Sequence, residues 1–356
     1  MNKGLSSKEG VNINDNCFTL IRYLAALQVL AGHCIKHFSL DTTSLLYRIY
    51  EHTLGMVVGV PVFFGLTGFL IWSSLDRNDE LKTYAQKRIK RLYPQLWLAV
   101  SLNAAAILIL YGEAVKGFQF VLFCITQSTF LQFWTPDSLR GYGCSTPNGS
   151  LWTISTYVQF YILAYPAYRW YKKANLRKGS ITKRTALWII IMLASLVFSV
   201  GYPRLEPFLP ETLFKLAGQT IFPYLGLFIT GVIVYEFRNT LIPPLAKFWY
   251  VPLSLYYFIR IYNIDLSGTY INPLAALLLL LSVFAVGYKF GGIKIKRDYT
   301  YGIYLYHMIL VNIIIQTRIM TGLWAMLAVI IGSFALAYIS SLIEDRLFSG
   351  KKKIRA

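Results

Sequence analysis

Two ionisable residues, Arg22 and His33, lie inside the first long apolar run of the chain. Holding such a group in hydrocarbon costs several kcal/mol, which makes each a functional candidate. They are eleven residues apart. Eleven helical steps of about 100° leave them within roughly 20° of one another, on one face, with a rise of about 16 Å. An imidazole so placed can serve as general base on a hydroxyl, since its ordinary pKa of about 6.5 suits proton exchange near neutrality. A guanidinium on the same stripe can hold an anionic group or stabilise developing negative charge. The plainer alternative is that Arg22 snorkels to the headgroups and His33 is a satisfied packing residue. His37, one turn beyond His33, completes an i,i+4 pair that zinc accepts, but no third ligand is evident and no metal site is expected. His52 falls in a loop and reads as solvated.

A second cluster, Lys87-Arg88-Ile89-Lys90-Arg91-Leu92-Tyr93-Pro94, stands at the start of a later apolar run. Arg88 and Arg91 are i,i+3 neighbours on a helix, so their guanidinium groups can converge on one anion. Either they hold a phosphate-rich ligand through bidentate contacts, or they contact anionic headgroups and set orientation. In a third cluster, Tyr299-Thr300-Tyr301-Gly302-Ile303-Tyr304-Leu305-Tyr306-His307, Tyr304 and His307 share a helix face near mid-membrane. They belong either to the same polar cavity as His33 or to hydroxyl-bonded helix packing.

The elements that carry these groups follow from composition. Of 356 residues, 56% are apolar, 16% aromatic and only 14% charged. A soluble domain carries about 25% charged residues, so a soluble nucleotide-binding enzyme, a disulfide-stapled module and a disordered chain are excluded. The expected fold class is all-α, a polytopic membrane bundle. Eleven apolar segments can be marked: 18–38, 54–75, 92–111, 117–134, 151–168, 185–201, 216–237, 245–262, 270–288, 299–320 and 323–343. The net charge of +19 is spread over short clusters between these segments, which argues against a nucleic-acid surface. The four cysteines, Cys17, Cys34, Cys124 and Cys144, have no metal-like spacing. The polar start of the chain and the absence of a small-residue cleavage site make the first run a retained span.

Charge orients the bundle. The loops 76–91, 169–184 and 289–298 and the tail from Asp345 hold six, seven, four and five Lys/Arg, and all four are expected on the cytoplasmic side. Three apolar segments lie between the first two of these loops, yet leaving and returning takes an even number of crossings. Segment 117–134, the most polar of the three, is therefore expected to be re-entrant or tilted. About ten spans remain, with both termini cytoplasmic and Lys116 among the few outside charges. The organisation is a segment 1–17, a transmembrane domain 18–345 and a basic tail 346–356.

Taken in order, several motifs resemble the membrane acyltransferase-3 family. Ile21-Arg22-Tyr23-Leu24-Ala25-Ala26-Leu27-Gln28-Val29 leading to His33 is similar to its first span, where a basic residue precedes a His by the same interval. Gly59-Val60-Pro61-Val62-Phe63-Phe64-Gly65-Leu66-Thr67-Gly68 resembles the second span, with Thr67 where Ser is usual. Arg88 and Arg91 followed by Tyr93-Pro94 resemble the arginine motif. Leu151-Trp152-Thr153-Ile154-Ser155 and Tyr301–His307 resemble two further blocks. The matches run from about residue 15 to 345. The resemblance implies an inner-membrane O-acyltransferase that moves an acetyl group from acetyl-CoA on the cytoplasmic side to a sugar hydroxyl of a surface glycan, such as O-antigen or exopolysaccharide. Pro147-Asn148-Gly149-Ser150-Leu151-Trp152 looks like the stand-alone members without a fused esterase-like domain.

Under that resemblance His33 and Arg22 are the catalytic candidates, and Arg88 and Arg91 would hold the CoA phosphates. Trp152, Ser155, Tyr157, Tyr304 and His307 would line the cavity. The expected partners are the acyl-CoA donor, a glycan or lipid-linked saccharide acceptor and membrane lipids. Tyr157 departs from the pattern, since the family usually has Glu there and a Tyr supplies no carboxylate at neutral pH. Either another group takes over, or the protein is impaired, or a hydroxyl suffices. Two other classes fit ten spans with buried Arg and His: a transporter or flippase, and an acyl translocator that needs a separate transferase.

Overall fold

The computed structural model describes residues 10–115, 117–132, 134–176, 179–264, 268 and 271–348. Among them there is no strand. The helices are α1 (Phe18–His37), α2 (Leu45–His52), α3 (Gly59–Arg77), α4 (Leu81–Tyr111), α5 (Gly117–Gln127), α6 (Trp152–Lys173) and α7 (Ile181–Gly201). There follow α8 (Glu211–Gly218), α9 (Leu225–Glu236), α10 (Arg238–Lys247), α11 (Tyr250–Ile261), α12 (Pro273–Lys289), α13 (Thr300–Thr317) and α14 (Gly322–Phe348). Most of the expected segment 1–17 and nearly all of the tail 346–356 lie outside the described residues, as do Lys116, Arg177 and Lys178.

By length and composition, five of these helices can cross a bilayer alone, and a bent pair makes a sixth. Length and composition thus account for five to six of the ten expected crossings. Three segment boundaries need correction. The third span begins at Leu81 rather than Leu92, because the basic stretch before Leu92 is made of good helix formers with no breaker, so the arginine cluster rides on the helix. The segment 216–237 is not one straight span. It is broken after Gly218 and bends by 48°, where Pro223, which lacks an N–H, interrupts the backbone ladder. The segment 245–262 breaks at Phe248–Trp249 and leaves the twelve-residue α11. α5 has eleven residues, a rise of about 16 Å or roughly half the hydrocarbon core.

The described residues fall into two compact units. The first comprises parts of Met1–Ala25, Met56–Tyr84 and Gln159–Lys296. Its centre is the crossing of α3 and α9, where glycines bring two backbones together. A Cβ on Gly68 would lie 2.0 Å from the Phe228 carbonyl oxygen, and one on Gly231 would lie 1.9 Å from that of Gly65. Where lipid removes any hydrophobic drive between helices, such close van der Waals contact is what holds them. Phe18, Phe69 and Phe284 pack edge-on and tilted beside it, with ring centroids 5.3–5.7 Å apart. At the basic end of α3 two acids are satisfied inside the unit. Glu236 accepts from Trp72 Nε1 (2.7 Å) and Tyr171 O–H (2.8 Å), and Asp76 from Tyr168 (3.0 Å) and Tyr235 (2.7 Å).

The second unit comprises Ala26–Gly55, Ala85–Val158 and the described part of Arg297–Ala356. α13 packs closely on α14, where a Cβ on Gly302 would lie 2.7 Å from that of Ala337. α4 is tied to both: Tyr301 O–H donates to the Leu92 carbonyl (3.0 Å) and Gln95 Nε2 to Glu344 (2.8 Å). The Gly322 N–H, just after α13, donates to the Phe38 carbonyl (2.9 Å) and fixes the end of α1.

Candidate active site

The second unit brings His33 and His307 together, although 274 positions separate them. Their ring centroids are 5.2 Å apart with planes inclined by 41°. α1 supplies His33 half-buried, with the His37 ring parallel to it at 6.5 Å. α13 supplies His307, which is fully buried. The Nδ1 of His307 lies 3.3 Å from the Ile303 carbonyl oxygen one turn back. A proton on Nδ1 makes that bond and leaves Nε2 as a bare lone pair. Nε2 is buried and has no hydrogen-bond partner among the described residues. A buried polar atom without a partner costs about 1–3 kcal/mol, so this nitrogen calls for an explanation such as a catalytic role or a bound water or ion.

Tyr304 stands beside His307, with ring centroids 5.7 Å apart. Its hydroxyl donates to the Ser150 carbonyl (3.1 Å), and its oxygen is 2.9 Å from Thr153 Oγ1. A single tight turn over Gly149–Leu151 leads into α6 and is fastened to the backbone of α13. Asn148 Nδ2 donates to the Leu305 carbonyl (3.0 Å), while Ser150 Oγ donates to Asn148 Oδ1 (2.7 Å).

One turn further along α13 than Met308, the wholly buried Asn312 holds the preceding loop. Its Oδ1 accepts the Cys144 N–H (2.8 Å), and its Nδ2 lies within 3.1 Å of the Thr146, Pro147 and Met308 carbonyls. Gln316 accepts the Gly143 N–H (3.0 Å). Asn312 and Gln316 were not among the sequence candidates, although a polar residue five positions after His307 in an apolar helix is a signal of the kind that singled out His33. Trp152 begins α6 half-buried, Ser155 is buried and Tyr157, two residues on, is half-buried. Their helix carries the loop that touches Tyr304.

The arginine cluster lies at the other end of α13. Arg91 is 4.0 Å from Asp298, whose side chain also accepts the Thr300 N–H at the start of α13. With 55% of its side chain exposed, Arg91 keeps most of its guanidinium open to solvent. Arg88, one turn back on α4, is half-buried. Seven residues of α13 separate Thr300 from His307, a rise of about 10 Å. Arg22 lies within the first unit, half-buried, with Nη2 3.4 Å from Thr19 Oγ1. α1 is one unbroken helix from Phe18 to His37, so the eleven-residue interval keeps its meaning. Among the described residues no three His, Cys, Asp or Glu side chains gather as a metal site.

Apolar helices of membrane length, with a half-buried imidazole facing a fully buried one in the second unit, describe a membrane-embedded protein with a candidate polar site. The family is settled by comparison. Residues 15–343 match the acyltransferase-3 model, described as an acyltransferase domain. The chain is 27% identical over 364 residues to nodulation protein 10 of Rhizobium leguminosarum bv. viciae, with 95% of each chain covered. It is 26% identical over 350 residues to an O-acetyl transferase of Shigella phage Sf6, covering 94% of this chain and 96% of the phage protein. The acyltransferase MdmB of Streptomyces mycarofaciens is 30% identical over 187 residues, covering 52% of this chain and 45% of its own. No solved structure matches. The chain belongs to the acyltransferase-3 family and is an acyltransferase, which removes the transporter reading.

Proposed function

We propose that the protein is an O-acetyltransferase of the bacterial plasma membrane, taking acetyl from acetyl-CoA on the cytoplasmic side and placing it on a sugar hydroxyl of a surface glycan or its lipid-linked precursor. The observation that carries this reading is the facing pair of imidazoles, His33 and His307, one of them with a buried and unpartnered nitrogen. The similarity to a phage O-acetyl transferase over nearly the whole chain supports the acetyl group.

In this mechanism His33 takes the proton from the sugar hydroxyl as the oxygen attacks the thioester carbonyl. The tetrahedral intermediate collapses with cleavage of the C–S bond, and the CoA thiolate leaves with the proton held by His33. A small rotation of either ring would let His307 Nε2, unpartnered as it stands, accept a hydrogen bond from the other nitrogen of His33, fixing that imidazole with its base nitrogen turned to the acceptor. Arg22, on the same stripe of α1 but about 16 Å of helix rise from His33, orients the donor rather than touching the reacting carbonyl. Arg88 and Arg91 hold the CoA phosphates. The pantetheine arm then has about two turns of α13 to traverse, roughly 10 Å, so no nucleotide charge enters hydrocarbon.

The test is transfer of label from radiolabelled acetyl-CoA to glycan in membranes containing wild-type or His33→Ala protein at matched amounts. Loss of label with His33→Ala is the expected result. Full activity of that variant would remove the proposed base.

A further inference from the structure

α7 is poorly covered by protein. Of the apolar window on Ile181–Phe208, 11% is buried, the smallest share of the five candidate spans. Beside it two cavities, of about 380 and 410 Å³, lie end to end and share Met192, Thr230 and Leu277. α7 forms one wall, α12 the other and α9 the floor. Thr185 and Thr240 mark one end, and Ile271 and Arg204 the other. Between the ends the lining is mostly apolar, aliphatic side chains with Trp188, Tyr224 and Phe237 among them. From Thr185 to Arg204 the helix advances nineteen residues, close to 28 Å, which matches the full hydrocarbon thickness of about 30 Å. The acyl chain of an ordinary phospholipid reaches through one leaflet, about half of that. The Arg204 side chain is exposed and lines the mouth, whereas Glu206, two residues on, lines neither cavity.

We propose that this groove binds the tail of a long-chain lipid phosphate, the carrier end of a lipid-linked saccharide, with the Arg204 guanidinium on its phosphate. Length selects the tail, because a single chain that fills both cavities must be longer than one leaflet. Charge selects the head, because a guanidinium at the rim pairs with phosphate through two N–H bonds. The assignment of this lipid as acceptor rests on the acetyltransferase reading above; the binding site does not.

The test uses the full chain in mixed micelles with equimolar polyisoprenyl phosphate, longer than one leaflet, and dioleoyl phosphatidylglycerol, read by native mass spectrometry. Wild type is expected to retain one polyisoprenyl phosphate at least tenfold over phosphatidylglycerol. Gly226 lines the groove, and a Cβ there meets only Ser195 Cβ at 3.6 Å, so Gly226→Phe fills the groove from the floor. Leu277→Trp fills it from the α12 wall. Each is expected to lower retention at least tenfold, and Arg204→Ala several-fold. Equal retention of the two lipids by wild type needs no variant and overturns the proposal. So does undiminished retention in both filled variants, or cross-linking of α7 to a second copy that excludes lipid. Acetyl transfer to a soluble, tail-free saccharide should persist in Gly226→Phe. If lipid is retained while no saccharide is ever acetylated, the acetyltransferase reading fails and the groove stands. If acetylation proceeds without lipid selectivity, the groove alone fails.

Discussion

Substituting Gly143 tests how the loop before α6 is held. Gly143 has φ +54°, and a Cβ there would lie 2.0 Å from Asn312 Oδ1 and 2.7 Å from its Cγ. The left-handed backbone alone costs a non-glycine residue about 1–2 kcal/mol. The collision adds more, since the displaced amide releases the Cys144 N–H and the Thr146 and Pro147 carbonyls it now holds. An orphaned buried group costs about 1–3 kcal/mol, and partial relaxation of a loop favours the lower end, so Gly143→Ala should cost about 2–4 kcal/mol in total. Asn312→Ala orphans the same groups and should cost about as much. In the Asn312→Ala background the collision is gone, and Gly143→Ala should then cost only the backbone term. The two substitutions therefore couple by about 1–3 kcal/mol, the range found for residues in contact. The assay is reversible unfolding in mixed micelles as the dodecyl sulfate fraction rises, run on the four proteins of the cycle. Acyl transfer at matched protein levels is measured alongside, and both single variants should be slowed. Additivity within about 0.5 kcal/mol would refute the shared clamp.

Three further outcomes follow from the geometry. His307→Ala should lower the transfer rate by up to the roughly 10²–10⁴ that the base it positions contributes, while leaving the protein in the membrane; unchanged turnover would reduce His307 to packing. Gly231→Leu should destabilise the α3–α9 crossing by at least the ~1–3 kcal/mol of an overpacked core, seen as loss of folded protein in detergent, whereas an unaffected yield would contradict the close approach. The hydrogen bonds from Lys172 and Arg169 hold the Asp79 carboxyl below the usual carboxylate range. A group with a depressed folded pKa contributes stability that is complete above its unfolded value, about 3.9, and is lost only as pH falls through the folded value. The stability difference between wild type and Asp79→Asn should therefore be flat from about pH 5 to 8, and a difference that shrinks between pH 7 and 5 would count against it.

Much of the architecture was legible because bilayers force long apolar helices and leave charge in the loops. The stripe of Arg22, His33 and His37 followed from spacing on one helix, and α1 runs unbroken through all three. What spacing could not give was the meeting of His33 and His307, since no local pattern encodes a contact across 274 positions. The start of α4 was placed at Leu92 instead of Leu81 because hydropathy sees only the apolar part, whereas Lys and Arg favour helix. The bend before α9 was marked by Pro223 but hidden by the apolar residues around it. Asn312 went unremarked because its role is to bind backbone in a loop that has no signature of its own.

The most direct measurement is turnover by purified protein in vesicles, with radiolabelled acetyl-CoA outside and a saccharide acceptor sealed within, at an orientation known from protease access. With the arginine cluster facing the acetyl-CoA, the expected result is O-acetylated saccharide inside the vesicles, lost in both His33→Ala and His307→Ala. Labelled saccharide formed undiminished by either variant, or formed only when acetyl-CoA and acceptor share the same side, would contradict a transfer carried across the membrane by the paired imidazoles.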